Sequence, residues 1–177
     1  MTLSAGVANS TVADAIAGDV DALAQIVGAY HNDMARIAFV ICGNADYAQD
    51  AVQAAWPKAW QKLSSIRDQQ KLRPWLMSIA ANEARQMMRR RIGRPVVEID
   101  VADVAATASD PQSRASALDL DTALRRLSPD DRAILALRHV GGYDATEIGH
   151  AMGMPAGTVR TRLARTVARL RKELGDD

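Results

Sequence analysis

Asp144-Ala145-Thr146-Glu147-Ile148-Gly149-His150-Ala151-Met152, then Gly153-Met154-Pro155, then Gly157-Thr158-Val159-Arg160-Thr161-Arg162-Leu163-Ala164-Arg165 is the stretch whose reading decides the fold. A short helix, a glycine-containing turn and a longer helix form a helix-turn-helix, whose second helix enters the DNA major groove. Val159, Leu163, Val167, Leu170 and Leu174 recur at spacings of four, four, three and four, which predicts one apolar stripe. At about 100° per residue, Thr161, Arg165, Ala168 and Lys172 fall opposite that stripe, with Arg162 and Arg169 alongside and Arg160 and Arg171 on the other flank. Six basic residues and no acidic one lie between Thr158 and Lys172. A solvated face is the ordinary home of helical arginines. A run of one sign directly after such a turn reads instead as the electrostatic footprint of a nucleic-acid binder.

Composition sets the outer bounds. The chain has 177 residues, which fits one or two domains. Hydrophobic residues make up 48% and aromatics only 4%, which suits helix-on-helix packing of small side chains. The net charge is +1, so basicity is local. The single cysteine, Cys42, excludes an internal disulfide and fits a reducing cytosol. It lies in an apolar run, where burial is the default. No signal peptide opens the chain, and no uncharged apolar run approaches the roughly 18 residues that span a bilayer. A cytoplasmic location and no membrane insertion are therefore expected.

The rest of the chain reads as helices. A short one covers about Val12 to Ala17. Asp19 is a suitable N-cap for a long helix to Ile41, with Gly43 as its stop. A third helix covers about Ala45 to Leu63, Ser64 to Lys71 reads as a loop, and a fourth helix runs from about Leu72 to Arg91. Gly93 to Ser113 carries two prolines and four acidic residues and reads as a linker, within which Val96-Val97-Glu98-Ile99 is a candidate extended contact. Helices resume at about Ala115. Ser128-Pro129-Asp130-Asp131 is a strong helix start, and that helix ends near Gly141-Gly142. The expected fold is all-α: two small helical domains, residues 11–92 and 115–177, joined by a flexible linker over 93–114. The C-terminal domain contains the helix-turn-helix. Fully extended, the 21-residue stretch from Gly93 to Ser113 reaches about 70 Å, enough for two turns of DNA.

The fourth helix carries the second cluster. Ser78, Asn82, Arg85, Gln86 and Arg89 share one face, with Leu76, Ala80 and Met87 on another. Arg89-Arg90-Arg91 is favoured at a helix C-terminus by the dipole alone. An amide and basic residues on one exposed face also suit contacts to bases and phosphates. Trp75 projects near that face, where it either wedges at a base step or is an ordinary half-buried core residue.

Several segments together resemble the extracytoplasmic-function (ECF) type of bacterial sigma factor, of the sigma-70 family. Ala48-Gln49-Asp50-Ala51-Val52-Gln53-Ala54-Ala55-Trp56-Pro57-Lys58-Ala59-Trp60 is similar to that family's polymerase-docking segment. Arg73-Pro74-Trp75-Leu76-Met77-Ser78-Ile79-Ala80-Ala81-Asn82, followed by Arg89-Arg90, resembles its promoter-reading helix. Leu127-Ser128-Pro129-Asp130-Asp131-Arg132 and the helix-turn-helix resemble its C-terminal DNA-binding domain. The resemblance implies a factor that gives RNA polymerase its promoter specificity through -10 and -35 type elements. It places Asp50 and Gln53 against the clamp helices of the largest polymerase subunit, with Val52 and Trp56 nearby or in the core. It lays Asn82, Arg85, Gln86, Arg89 and Trp75 along the near element. The Ser64 to Lys71 loop then holds a base flipped from the non-template strand. Arg160, Thr161, Arg162, Ala164 and Arg165 take the upstream element. The implied partners are polymerase core (clamp helices and flap region), promoter DNA and an anti-sigma factor.

The sequence departs from that pattern at Pro57, where interior proline is expected to kink the helix, at Ala54 and Ala55, which are smaller than the usual pair, and at Ala164 on the DNA side. The rival reading is a stand-alone helix-turn-helix regulator. An enzyme is not expected: His31, His139 and His150 are scattered, and no nucleophile pattern, metal-ligand spacing or phosphate-cradling loop appears. No cofactor or metal is implied.

Overall fold

Asp19 sets the frame of the molecule. In a computed structural model, which describes residues 7–66, 68–91 and 119–175, its side chain accepts from the Ala22 amide and starts the longest helix. Helix α1 spans Asn9–Ile16, α2 Val20–Cys42, α3 Ala45–Lys62 and α4 Leu72–Arg91. Helix α5 is described over residues 119–125. Helix α6 spans Pro129–His139, α7 Ala145–Met152 and α8 Ala156–Leu174. No strand occurs among the described residues. Residues 93–114, with Val96-Val97-Glu98-Ile99, lie outside the described residues.

Helices α2, α3 and α4 pack on one another, and α1 covers one end of α2. Ile26, Met34, Ile37, Ile41, Leu72, Leu76 and Met77 fill the interior, all essentially solvent-free. Ala51, Ala55, Ala59, Ala80 and Ala84 are fully buried between helices. Small side chains at these seams let the backbones approach, which is how a chain so poor in aromatics closes a core. Arg73 ties α4 to α2 through Asp33 at 2.8 Å, and Lys58 ties α3 to Glu83 of α4 at 2.5 Å.

Pro57 does not end α3, which continues to Lys62. It lies on the exposed outer face, where solvent can meet the carbonyl left without its backbone donor. Ser64 to Lys71 is not a plain loop: Leu63–Ser65 and Gln69–Lys71 are short 3-10 turns.

The C-terminal helices follow their caps. The Ser128 hydroxyl accepts from the Asp131 amide, and Pro129 occupies the first turn of α6. Asp144 and Glu147 form a reciprocal capping box at the start of α7. The Glu147 and Thr146 amides donate to the Asp144 carboxylate and hold it below its ordinary value. Gly153 ends α7 with a φ of 68°, the left-handed conformation that favours glycine. Gly149 is demanded by space, since a Cβ there would stand 2.6 Å from the Met154 carbonyl oxygen. That close approach folds α8 back onto α7.

The apolar stripe on α8 is only partly covered. Val159 is buried, Leu163 and Val167 are half-buried, and Leu174 is 37% exposed. Thr166 is buried instead, its hydroxyl donating to the Arg162 carbonyl. Beyond that point Leu170 is still half-buried and Glu173 lies 3.7 Å from Arg126, so cover thins only towards Leu174.

The two sets of helices lie against each other. Helix α6 packs on both α2 and α4, and α7 packs on α4. Ala133, Ile134, Ala136, Leu137, Tyr143, Ile148 and Val159 join the buried cluster formed by α1 to α4. The Tyr143 hydroxyl donates to the Pro74 carbonyl, and Arg125 donates to the Gly43 carbonyl at 2.8 Å.

Candidate nucleic-acid interface

Helix α8 presents its basic residues outward. Arg160, Thr161, Ala164 and Arg165 are exposed, as the helical arithmetic predicts from Val159 facing inward. The Thr161 hydroxyl donates to the Gly157 carbonyl at 3.1 Å. Arg162 departs from this arrangement. It is half-buried and turned back to α6, with Nε donating to Asp131 at 2.9 Å and Nη1 lying 3.6 Å from Asp130. Four of the five expected upstream-element residues therefore share an open face, while the fifth is engaged within the protein.

Helix α4 is arranged differently. Leu76 and Ala80 are buried and Met87 half-buried against the core, which places Asn82, Arg85, Gln86 and Arg89 on the other side. That side faces α6 and α7. Asn82 Nδ2 donates to the Ala151 carbonyl at 2.7 Å, and Arg85 Nη1 to the Met152 carbonyl at 3.5 Å. Arg89 donates to Asp130 at 3.0 Å. The two carbonyls belong to the last turn of α7, where intrahelical donors are lacking and the dipole favours cations. Gln86 is exposed at the edge, beside a recess lined by Lys58, Lys62, Ile79, Asn82 and Ala151. Trp75 is half-buried against the core, matching the core alternative more closely than a free wedge.

The basic run that closes α4 separates into three environments. Arg89 reaches Asp130, Arg90 is exposed, and the Arg91 guanidinium stacks over the Tyr47 ring at 3.8 Å. Asp130 thus has three guanidinium neighbours: Arg85 at 3.9 Å, Arg89 at 3.0 Å and Arg162 at 3.6 Å. Sequence reasoning missed this role for Asp130 and Asp131. Their position in the first turn of α6 already explained them as partners of the helix dipole, and only the fold brings the arginines to them.

On α3, Asp50 and Gln53 are exposed on one outer face. Val52 and Trp56 are core residues, 0% and 8% exposed. Trp56 stacks on Trp60 with ring centroids 4.9 Å apart, and its Nε1 donates to His31 Nδ1 at 3.3 Å. Next to this face, His31, Ala35, Phe39, Val40, Ala48 and Gln49 line a groove of about 710 Å³ between α2 and α3.

Cys42 is buried, and burial pushes its thiol up to about 12. Desolvation likewise lowers the Arg132 pKa and raises that of the Tyr143 hydroxyl. His150 is exposed on α7. Among the described residues no cluster of histidine, cysteine, aspartate and glutamate could hold a metal, and no helix is long and apolar enough to cross a membrane.

Comparison with known proteins agrees with both halves. Residues 26–92 match the family model described as sigma-70 region 2, and residues 117–170 match sigma-70 region 4. The chain is 35% identical to the RNA polymerase sigma factor CarQ of Myxococcus xanthus, over 75% of this chain and 78% of that protein. It is 30% identical to the ECF RNA polymerase sigma factor SigL of Mycobacterium tuberculosis, over 90% of this chain and 97% of the other. Among solved structures, it resembles the sigma factor RpoE in complex with the anti-sigma factor NepR from Bartonella quintana, with a TM-score of 0.68 and 27% identity over 89% of this chain and 99% of that one. CnrH in complex with the cytosolic domain of CnrY shares the fold at a TM-score of 0.66 and 22% identity, covering 94% of this chain and 96% of that one. Because the matches span both helical regions, a stand-alone helix-turn-helix regulator is not favoured. The chain belongs to the sigma-70 family of RNA polymerase sigma factors, in its extracytoplasmic-function group, and acts in transcription initiation.

Proposed function

We propose that this chain reads promoters in two parts, with residues 115–177 gripping the upstream duplex element and residues 11–92 docking on polymerase and opening the near element. The observation that carries this reading is the pair of polar faces on α4 and α8. Arg160, Thr161, Ala164 and Arg165 lie on an exposed helix of the size a major groove admits. Arginine paired with guanine supplies about 1–3 kcal/mol of base discrimination. Arg162 joins that face once it leaves Asp131. Asn82, Arg85, Gln86 and Arg89 supply the near-element contacts, with Trp75 supporting them from the half-buried side. The segment from Ser64 to Lys71 then receives a base extruded from the non-template strand.

Asp50 and Gln53 meet the clamp helices of the largest polymerase subunit, and Val52 and Trp56 hold their helix in place from the core. The C-terminal domain reaches the flap region. The chain contributes no chemistry of its own and works in the cytoplasm, where polymerase and promoter are. An anti-sigma partner fits the groove beside α3: its apolar floor of Ala35, Phe39, Val40 and Ala48 adjoins the proposed polymerase face, so an occupant would obstruct docking. The likeness to RpoE solved with the anti-sigma factor NepR is in keeping with this.

The test is run-off transcription with sigma-free bacterial core polymerase on a library of upstream DNA. Protein-dependent initiation from a bipartite motif is expected. No stimulation of a binding-competent core would overturn the reading.

A further inference from the structure

We propose that the corner where the α2–α3 turn meets α5 and α6 is a binding site for a small oxyanion of the phosphate class, with Arg132 as its principal ligand and Arg125 at its mouth. The site stands apart from promoter recognition and uses none of the residues given a DNA or polymerase contact above. Arg132 is only 6% exposed, and its Nε is buried without a hydrogen-bond partner. A guanidinium keeps its charge at any ordinary pH. Folded chains rarely leave such a charge buried and unpaired, because its lost hydration is then uncompensated.

The described residues do not supply the missing anion. The acid that acts on Arg132 is Asp121, which is already bonded to Arg125 at 2.7 Å. Cys42 lies beside Arg132, but burial pushes its thiol up to about 12, so it carries no charge at neutral pH. The other charge acting on Arg132 is Arg125, of the same sign. The two arginines converge on Gly43. A Cβ there would stand 3.5 Å from Arg132 Nη1 and 3.8 Å from Arg125 Cζ. Arg125 donates from Nη2 to the Gly43 carbonyl at 2.8 Å and keeps 40% of its side chain exposed, so the corner opens to solvent on that side.

Helix α3 begins directly after this turn, with Asn44 as its cap. The positive end of a helix dipole favours an anion. Asp46, the acid of that first turn, is exposed. Arg125 and Arg132 against Asp121 alone leave a surplus positive charge at the corner. A guanidinium fork binds two oxygens at once, which selects an oxyanion such as phosphate over chloride. Inorganic phosphate and the terminal phosphate of a nucleotide share this chemistry.

The experiment follows thermal melting of the full-length chain as inorganic phosphate replaces chloride at constant ionic strength and neutral pH. Broadening of the phosphorus NMR line reads binding directly. The wild-type melting temperature is expected to rise by about 3–5 °C once phosphate reaches about ten times its dissociation constant. Arg132→Gln is expected to lose both the rise and the broadening, and Arg132→Lys to keep part of each. Arg171→Gln, the same charge change at an exposed position on α8, should keep both in full. Arg125→Gln should weaken the response. ADP in place of phosphate separates the sources: tighter binding than inorganic phosphate assigns the site to a nucleotide, and equal or weaker binding assigns it to the free ion. No wild-type rise over the chloride baseline, or equal rises in Arg132→Gln and Arg171→Gln, would overturn the site. Should Arg132→Gln not fold, an undiminished response in Arg125→Gln overturns it instead.

Discussion

Helices α4 and α8 carry similar side chains and meet opposite fates. Both present polar and basic residues on one face and apolar residues on the other. On α8 the basic face is open, because α6 and α7 pack against its opposite, apolar side. On α4 the polar face is roofed by α6 and α7, and Asn82, Arg85 and Arg89 are all engaged. Similar chemistry is therefore solvent-facing in one domain and intramolecular in the other. The difference lies in what the fold brings opposite each face: an acidic helix start and a helix C-terminus for α4, and nothing of the described chain for most of α8.

The sharpest way to break that comparison is to remove what joins the halves. Leu137 is fully buried on α6, so Leu137→Ala is expected to destabilise the chain by about 2–5 kcal/mol. Melting followed separately in the two halves should show both transitions falling together. A shift confined to the C-terminal helices would separate α6 from the N-terminal core.

Next in size are the contact residues. With polymerase present, Asn82→Ala should weaken initiation through the near element alone and Arg165→Ala through the upstream element alone, each by about 1–3 kcal/mol of discrimination. Transcription from promoters altered in one element at a time checks this. Loss at the same element for both variants would erase the division between the faces. DNA binding by the free chain is expected to fall steeply with salt in either case.

Smaller effects follow from two of the perturbed acids, Cys42 and Asp144. Cys42, with its thiol pushed up to about 12 from 9.0, should resist alkylation at pH 8 in the folded chain. A raised value means that this contribution to stability is full below pH 9.0 and is lost as pH rises towards 12. Asp144 has the opposite sign. Its carboxyl is depressed below 3.8 by the Glu147 and Thr146 amides, so its contribution is present above that value and is lost as pH falls through the folded one. Asp144→Ala should accordingly lower the melting of the C-terminal helices at neutral pH and make little difference in strong acid.

The elements that local chemistry decides were legible in the sequence. Asp19 and Ser128 cap their helices as read from the sequence, and Asn44 and Asp144, not singled out there as caps, do the same. Gly153 turns where a left-handed residue is needed, and the outward set on α8 follows from one inward valine. What escaped was everything that depends on two distant segments meeting. Periodicity identifies the polar face of α4 and is silent on what covers it. Asp130 has a complete local explanation as a first-turn acid, which concealed its distant partners. Tyr143 ends a loop and gives no sign of the Pro74 carbonyl, 69 positions away in sequence. The apolar stripe of α8 was legible as well, but how its cover thins from buried Val159 to exposed Leu174 was not.

The most direct test of the central claim is the distance between the two domains in the presence and absence of polymerase core. Spin labels at the exposed positions Gln25 on α2 and Ala168 on α8, in a Cys42→Ala background, would report it by dipolar coupling. With α6 and α7 packed on α2 and α4, the chain gives one short, narrow distance when free and a longer one on addition of core polymerase. A free wild-type chain that already shows the long, polymerase-bound distance would contradict it.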